Sequence, residues 1–179
     1  GNSNMNVLAI GCHPDDVEIA CAGTLAKCVK RGDKVIVCHV STGNLGHVII
    51  PPDELTLIRA KEAKDAGALA GIEVIGADFD DLEIYDNNRE ARDKIVDVIK
   101  YANPDVIITH NPDDYMPDHT AVARLVFDAS FTATLPNYRL ENPKFSNADT
   151  PPAKLVPIFY MDTLAGVNFV PEVFVDISE

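Results

Sequence analysis

The chain has 179 residues, of which 46% are hydrophobic and 24% charged. That is the composition of one soluble globular domain with a real core, and it excludes disorder for the chain as a whole. With 15 basic and 28 acidic residues the net charge is −13, which repels phosphate backbones and anionic membrane surfaces and sets nucleic-acid binding aside. The charge is spread along the chain and forms no acidic tail, so it reads mostly as a solvated surface. No run is long and apolar enough to span a bilayer. The opening Gly1-Asn2-Ser3-Asn4-Met5 has neither a basic n-region nor an apolar h-region and reads as a short disordered lead or a cloning remnant. Cys12, Cys21, Cys28 and Cys38 form no C-x-x-C pair and lie in or beside apolar stretches, as free thiols do in a reducing cytoplasm.

In chain order, Asn6–Gly11 is a buried-strand pattern, and Asp16–Arg31 has apolar residues at helical spacing with Gly32 just past its end. Lys34–Val40 is a second strand, Ser41–Pro52 a Gly- and Pro-containing loop, and Asp53–Ala70 a helix followed by Gly71. Glu73–Ile75 opens a third strand, Asn88–Tyr101 is a helix and Asp105–Thr109 a fourth strand. Asp118–Leu135 is a further helix, 136–154 is irregular, and Val156–Met161 and Val173–Ile177 read as late strands. Strands alternating with helices predict an α/β fold with a mostly parallel, doubly wound sheet. In such sheets the site lies at the carboxyl ends of the strands, near a switch in strand order.

The strand ends are where the ionisable residues collect. His13-Pro14-Asp15-Asp16 follows the first strand and opens a helix. His13 and Asp16, three residues apart at a tight turn, can both point at one metal ion, and imidazole with carboxylate suits zinc, iron or manganese. Capping accounts for one Asp at a helix start, but for neither the second nor the histidine. Met116-Pro117-Asp118-His119 opens another helix at the same sheet end. His119 can supply a third ligand, leaving a position open for water, and Asp118 can orient an imidazole. Asp15, beside Asp16 but pointing elsewhere, is the candidate general base. His110 ends the fourth strand and is as much a site candidate as a structural one; His39 reads as a core residue and His47 as surface. The loop Gly43-Asn44-Leu45-Gly46 is a weak candidate substrate loop. No G-x-G-x-x-G, P-loop or G-x-S-x-G elbow is present, so a dinucleotide-binding reading is poor.

Taken together, His13-Pro14-Asp15-Asp16, Arg59-x-x-Glu62 after a Gly-rich loop, and Asp113–His119 with its Pro-Asp-His ending resemble the LmbE-like, or PIG-L-like, N-deacetylase family. Asp81–Asn87 and Val175-Asp176-Ile177 match its style, so the resemblance runs from about Asn6 to the chain's end. It implies a Rossmann-like three-layer fold and a zinc-dependent amidase acting on N-acetylglucosamine-type substrates. It implies His13, Asp16 and His119 as metal ligands and Asp15 as general base, with Asp118 and His110 as further candidate catalytic groups. It sets Asn44 and Arg59 near the sugar, and it implies a homo-oligomer, a trimer or a hexamer. The same donor set also admits Fe2+.

Two departures from the family stand out. Relatives carry His where this chain has Met116, and a thioether donates no hydrogen bond; losing one oxyanion donor costs roughly a hundredfold or more in rate. Zinc itself, Tyr115 or His110 could stand in. Relatives also continue past the late Val-Asp-Ile strand, so the 179-residue domain is expected to lack a C-terminal segment. The sequence therefore predicts a zinc-dependent N-deacetylase of a small N-acetylated amino sugar, cytoplasmic and without a membrane span. Its rivals are a weakened or non-catalytic metal- and sugar-binding member of the family and, less favoured, a metal-free nucleotide-binding domain.

Overall fold

The computed structural model describes residues 4–13, 16–41, 61–67, 71–79, 88–114 and 116–161. Strands β1 (Asn6–Gly11), β2 (Lys34–Ser41), β3 (Glu73–Phe79), β4 (Val106–Thr109) and β5 (Ile158–Tyr160) alternate with helices α1 (Asp16–Arg31), α2 (Asn88–Ala102) and α3 (Pro117–Thr132). Residues 61–67 are also helical, inside the helix expected over Asp53–Ala70. The rest of that helix, most of the loop expected over Ser41–Pro52 and the strand expected over Val173–Ile177 lie outside the described residues. The third strand runs on to Phe79, and the strand expected over Val156–Met161 keeps only three residues.

All five strands are parallel, in the order β3-β2-β1-β4-β5. The chain winds outward from β1 through β2 to β3, then returns to β1's other side as β4. The switch point therefore lies between β1 and β4, as a doubly wound α/β sheet requires. The side-chain period of two explains why both faces are covered. Leu8 and Ile10 of β1, with Ile36, Cys38 and Val40 of β2, pack against α2 and α3 through Ile95, Ile99, Val122 and Val126. Val7, Ala9, Val35 and Val37 point the other way, onto Val17 and Leu25 of α1.

Two glycines make the β1–α1 unit possible. A Cβ on Gly11 would lie 2.7 Å from Val17 Cγ2, so only glycine lets α1 start so close to the end of β1. Gly32, at φ 95°, ends α1 in a left-handed conformation that other residues rarely adopt. Cys12 and Cys38 are buried, Cys21 and Cys28 partly so, and all four thiols are free. His39 is buried in β2, as expected of a core residue. No helix among the described residues is long and apolar enough to cross a membrane.

Candidate metal centre at the β1–β4 switch point

The carboxyl ends of β1 and β4 are tied together before any chemistry is considered. Thr109 Oγ1 donates to Ile10 O at 2.9 Å, and the Cys12 N–H donates to His110 Nε2 at 2.9 Å. From this joint the chain leaves on one side through His13 into α1, and on the other through a turn at Asn111–Asp114 into α3. Both turns are closed by carboxylates. Asp16 Oδ2, at the start of α1, accepts the His13 N–H at 2.8 Å. Asp114 Oδ1 accepts the Met116 N–H at 3.0 Å. Met116 is the residue that precedes α3 and gives no side-chain cap, so Asp118 lies inside the first turn and is not the cap.

These turns bring His13, Asp16, His110, Asp114, Asp118 and His119 into one cluster. Asp16 Oδ2 lies 3.1 Å from His13 Nδ1 and 3.1 Å from His119 Nε2. The opposite nitrogen of each ring is held by another acid: His13 Nε2 by Asp118 Oδ2 at 2.8 Å, and His119 Nδ1 by Asp114 Oδ2 at 3.0 Å. The His110 ring stacks on His119, with centroids 3.9 Å apart and planes 13° from parallel. Ligand atoms converge in two overlapping groups, Cys12 with His13 and Asp16, and Asp16 with His110 and His119.

The electrostatics follow from burial and partners. Asp118 and then Asp16 hold the His13 imidazolium well above its ordinary value. Burial pushes the Asp16 carboxyl up, but the facing His119 and His13 outweigh it and hold the pKa below the usual carboxylate range. Burial likewise works against a charged His119, and the carboxylates of Asp16 and Asp114 outweigh it. At His110 the balance goes the other way: burial and the neighbouring His119 outweigh the carboxylates of Asp16 and Asp114 and push it down to about 4. It is neutral at pH 7, and since Nε2 accepts the Cys12 N–H, its proton sits on Nδ1.

One atom shows what this cluster is suited to hold. His119 Nε2 is buried and has no hydrogen-bond partner. Nε2 faces Asp16 Oδ2 at 3.1 Å, and a cation that displaced the ring proton there would take the Nε2 lone pair and the carboxylate together. A carboxylate on the far nitrogen of each histidine is also how metal-ligating imidazoles are oriented.

Of the sequence-predicted site residues, the fold brings His13, Asp16, His110, Asp118 and His119 together. Asp15, Asn44 and Arg59 lie outside the described residues, as do Tyr115 and His47. Asp118 pairs with an imidazole, that of His13, at 2.8 Å. Sequence reasoning missed Asp114 and Cys12. The available signal for Asp114 was an acid five residues before His119, just upstream of a helix that starts without a side-chain cap.

Comparisons with known proteins agree with this geometry. The family model for GlcNAc-PI de-N-acetylase (PIG-L) matches residues 8–130. The uncharacterized deacetylase YaiS of Escherichia coli K12 is 29% identical over 127 residues, 68% of this chain and 65% of its own length. The 4-oxalmesaconate hydratase of Pseudomonas putida KT2440 is 24% identical over 148 residues, covering 76% of this chain and 57% of its own. The solved structure of N,N'-diacetylchitobiose deacetylase from Pyrococcus horikoshii superimposes with a TM-score of 0.78 at 26% identity, over 96% of this chain and 64% of that one. The chain thus spans about two thirds or less of the length of each.

Proposed function

Because the chain belongs to the GlcNAc-PI de-N-acetylase (PIG-L) family, we propose that it is a divalent-metal-dependent N-deacetylase. Its substrate is an N-acetylglucosamine-type sugar or conjugate, and its products are acetate and a free amine. The observation that carries this reading is the Asp16 carboxylate facing two imidazoles, each fixed from behind by its own acid.

His13, Asp16 and His119 would hold the ion, and two imidazoles with one carboxylate suit zinc, with Fe2+ as the alternative. His110 is the less suitable ligand, because its Nε2 lone pair already takes the Cys12 N–H. When bound, the ion supplies Lewis acidity toward the acetamide oxygen and a water acidic enough to ionise near neutral pH. Asp15 would serve as the general base and later as the proton donor to the leaving amine. Asp118 and Asp114 would keep the two rings aimed. Asn44 and Arg59 would lie near the sugar.

The test is metal content beside acetate release, measured on protein purified without added metal or chelator. About one ion per chain, absent from His13→Ala, with acetate released from an N-acetyl sugar in the wild type only, is the expected outcome. No ion in either protein after zinc is added back would overturn the reading. Met116 gives a second reading, that of a weakened enzyme, because the residue before α3 carries no donor. If that holds, Met116→His raises turnover by about a hundredfold. An unchanged rate means another group supplies the donor. Loaded protein that releases no acetate but hydrates 4-oxalmesaconate would align the chain with its hydratase relative.

A further inference from the structure

Cys12 has no part in the chemistry proposed above, yet its thiol lies at the site. The residue is fully buried just beyond β1. Its Sγ is 3.7 Å from His13 Nε2 and 3.7 Å from Asp118 Oδ2, and those two atoms are 2.8 Å apart. Cys12 Sγ and Asp118 Oδ2 face Nε2 of His13, while Asp16 faces Nδ1.

The triangle has nearly the size a metal needs. Around a tetrahedral zinc with bonds of about 2.3 Å to sulfur and about 2.0 Å to nitrogen or oxygen, sulfur lies about 3.6 Å from each lighter donor. The thiol is therefore already in place. Only the His13–Asp118 pair must open, by about 0.5 Å, to the separation two such ligands adopt. The side chains of His13 and Asp118 are 24% and 13% exposed, which leaves a route in that the thiol alone lacks.

We propose that Cys12 Sγ, His13 Nε2 and Asp118 Oδ2 form a second metal site, back to back with the first across the His13 ring, that takes soft divalent ions such as cadmium or zinc in excess. It rests on the reading above in one respect, that His13 serves the first site through Nδ1. Loading is an exchange of ions with no redox step. The metal replaces the thiol proton and the proton on His13 Nε2, both of which leave to solvent, and a water completes the coordination. The thiolate excludes magnesium and calcium, which take oxygen ligands. An ion here takes Asp118 away from His13, so the second site is inhibitory.

The experiment is a cadmium titration of the metal-free full chain, followed by equilibrium metal analysis and by the ultraviolet charge-transfer absorption of a cadmium-bound thiolate. The wild type is expected to bind two ions, the thiolate band growing only with the second. Cys12→Ser is expected to keep the first ion and lose the band, with the second ion's affinity reduced at least about a hundredfold. Magnesium should give no band. Wild type that saturates at one ion without a band overturns this inference and leaves the first site standing. A band that survives in Cys12→Ser also overturns it, by assigning the thiolate to Cys21, Cys28 or Cys38. Wild type that binds no ion overturns both readings. Should Cys12→Ser not fold, Asp118→Ala keeps the thiol and is expected to weaken the second ion at least about tenfold; an unchanged second ion there counts against the site.

Discussion

Acidic residues stand at both ends of this sheet, and they do different work. At the amino end, Asp33 and Asp105 each close a strand start. Asp33 Oδ1 accepts the Met5 N–H at 2.9 Å while Oδ2 accepts Arg31 Nε at 2.9 Å. Asp105 Oδ2 accepts the Asn6 N–H at 2.7 Å, and its other oxygen pairs with Lys154. These carboxylates meet permanent cations and backbone donors, so nothing is left over. At the carboxyl end, Asp16, Asp114 and Asp118 meet imidazoles. An imidazole can trade a proton for a metal ion, and at His119 the buried Nε2 faces the Asp16 carboxylate at 3.1 Å without a well-formed hydrogen bond. Acidic residues at a strand end therefore do not by themselves mark a site; the partner type does.

The sharpest way to break this contrast is to remove the acids behind the imidazoles. Asp114 is the stronger case, since its side chain is only 2% exposed and it also closes the turn into α3. Asp114→Asn is expected to weaken zinc binding about 10- to 100-fold by freeing the His119 ring and lowering its basicity. Asp118→Asn, on the more exposed His13 pair, is expected to cost about tenfold. Competition against a chromogenic chelator measures both. Equal affinity in wild type and Asp114→Asn would mean that His119 is not a ligand or needs no support.

Acid sharpens the comparison by separating the two ends in pH. His110 is neutral in the fold, with its pKa pushed down to about 4 from 6.5 by burial. Between those values the unfolded chain binds a proton that the folded chain does not, so stability falls as pH falls. The full interval corresponds to about 3 kcal/mol. His13 and His119, whose pKa values are raised, contribute fully below 6.5 and do not change in this window. Asp33 and Asp105, held low by Arg31 and by the Asn6 N–H respectively, lose their contribution only below the carboxylate value of 3.8. In chelator, urea midpoints should therefore drop between pH 6 and pH 4.5 for wild type, below the range in which unfolded histidines take up their protons, but stay nearly level for His110→Gln. A drop of equal size in the variant would assign the acid sensitivity elsewhere.

Much of this was legible in the sequence, for physical reasons. Continuous apolar runs in Val7–Ile10 and Val35–Val40 make strands covered on both faces, and alternation with helices makes the sheet parallel. Gly32 and the start of α1 followed from turn and capping chemistry. That His13, Asp16 and His119 would gather at one sheet end was legible because each spacing is local to its turn. What pairs with what across the turns was not. Asp118 is adjacent to His119 in sequence but serves His13, while Asp114 serves His119 from five positions upstream. Cys12 reads as one more apolar-flanked cysteine until the fold sets its sulfur against the back of His13. The late strand was expected to be longer than the three residues of β5: its pairing with β4 runs from Ile158 to Tyr160, with Pro157 and Met161 supplying only the bonds that close its ends.

The smallest expected effect belongs to the amino end and is the control for the rest. Asp33→Ala removes the acceptor of the Met5 N–H and the partner of Arg31. The Arg31 side chain is 58% exposed, so the ion pair itself contributes little. The Asp33 side chain is fully buried, and the backbone donor it leaves unsatisfied costs about 1–3 kcal/mol. Urea unfolding should register that loss, while zinc affinity should match wild type, because Asp33 precedes β2 at the opposite end of the sheet from the imidazoles. A variant that lost stability and metal affinity together would show that the two ends are coupled through β1, which Asp33 anchors at Met5 and which leads into His13. The separation between structural and ion-holding acids would then be one of degree.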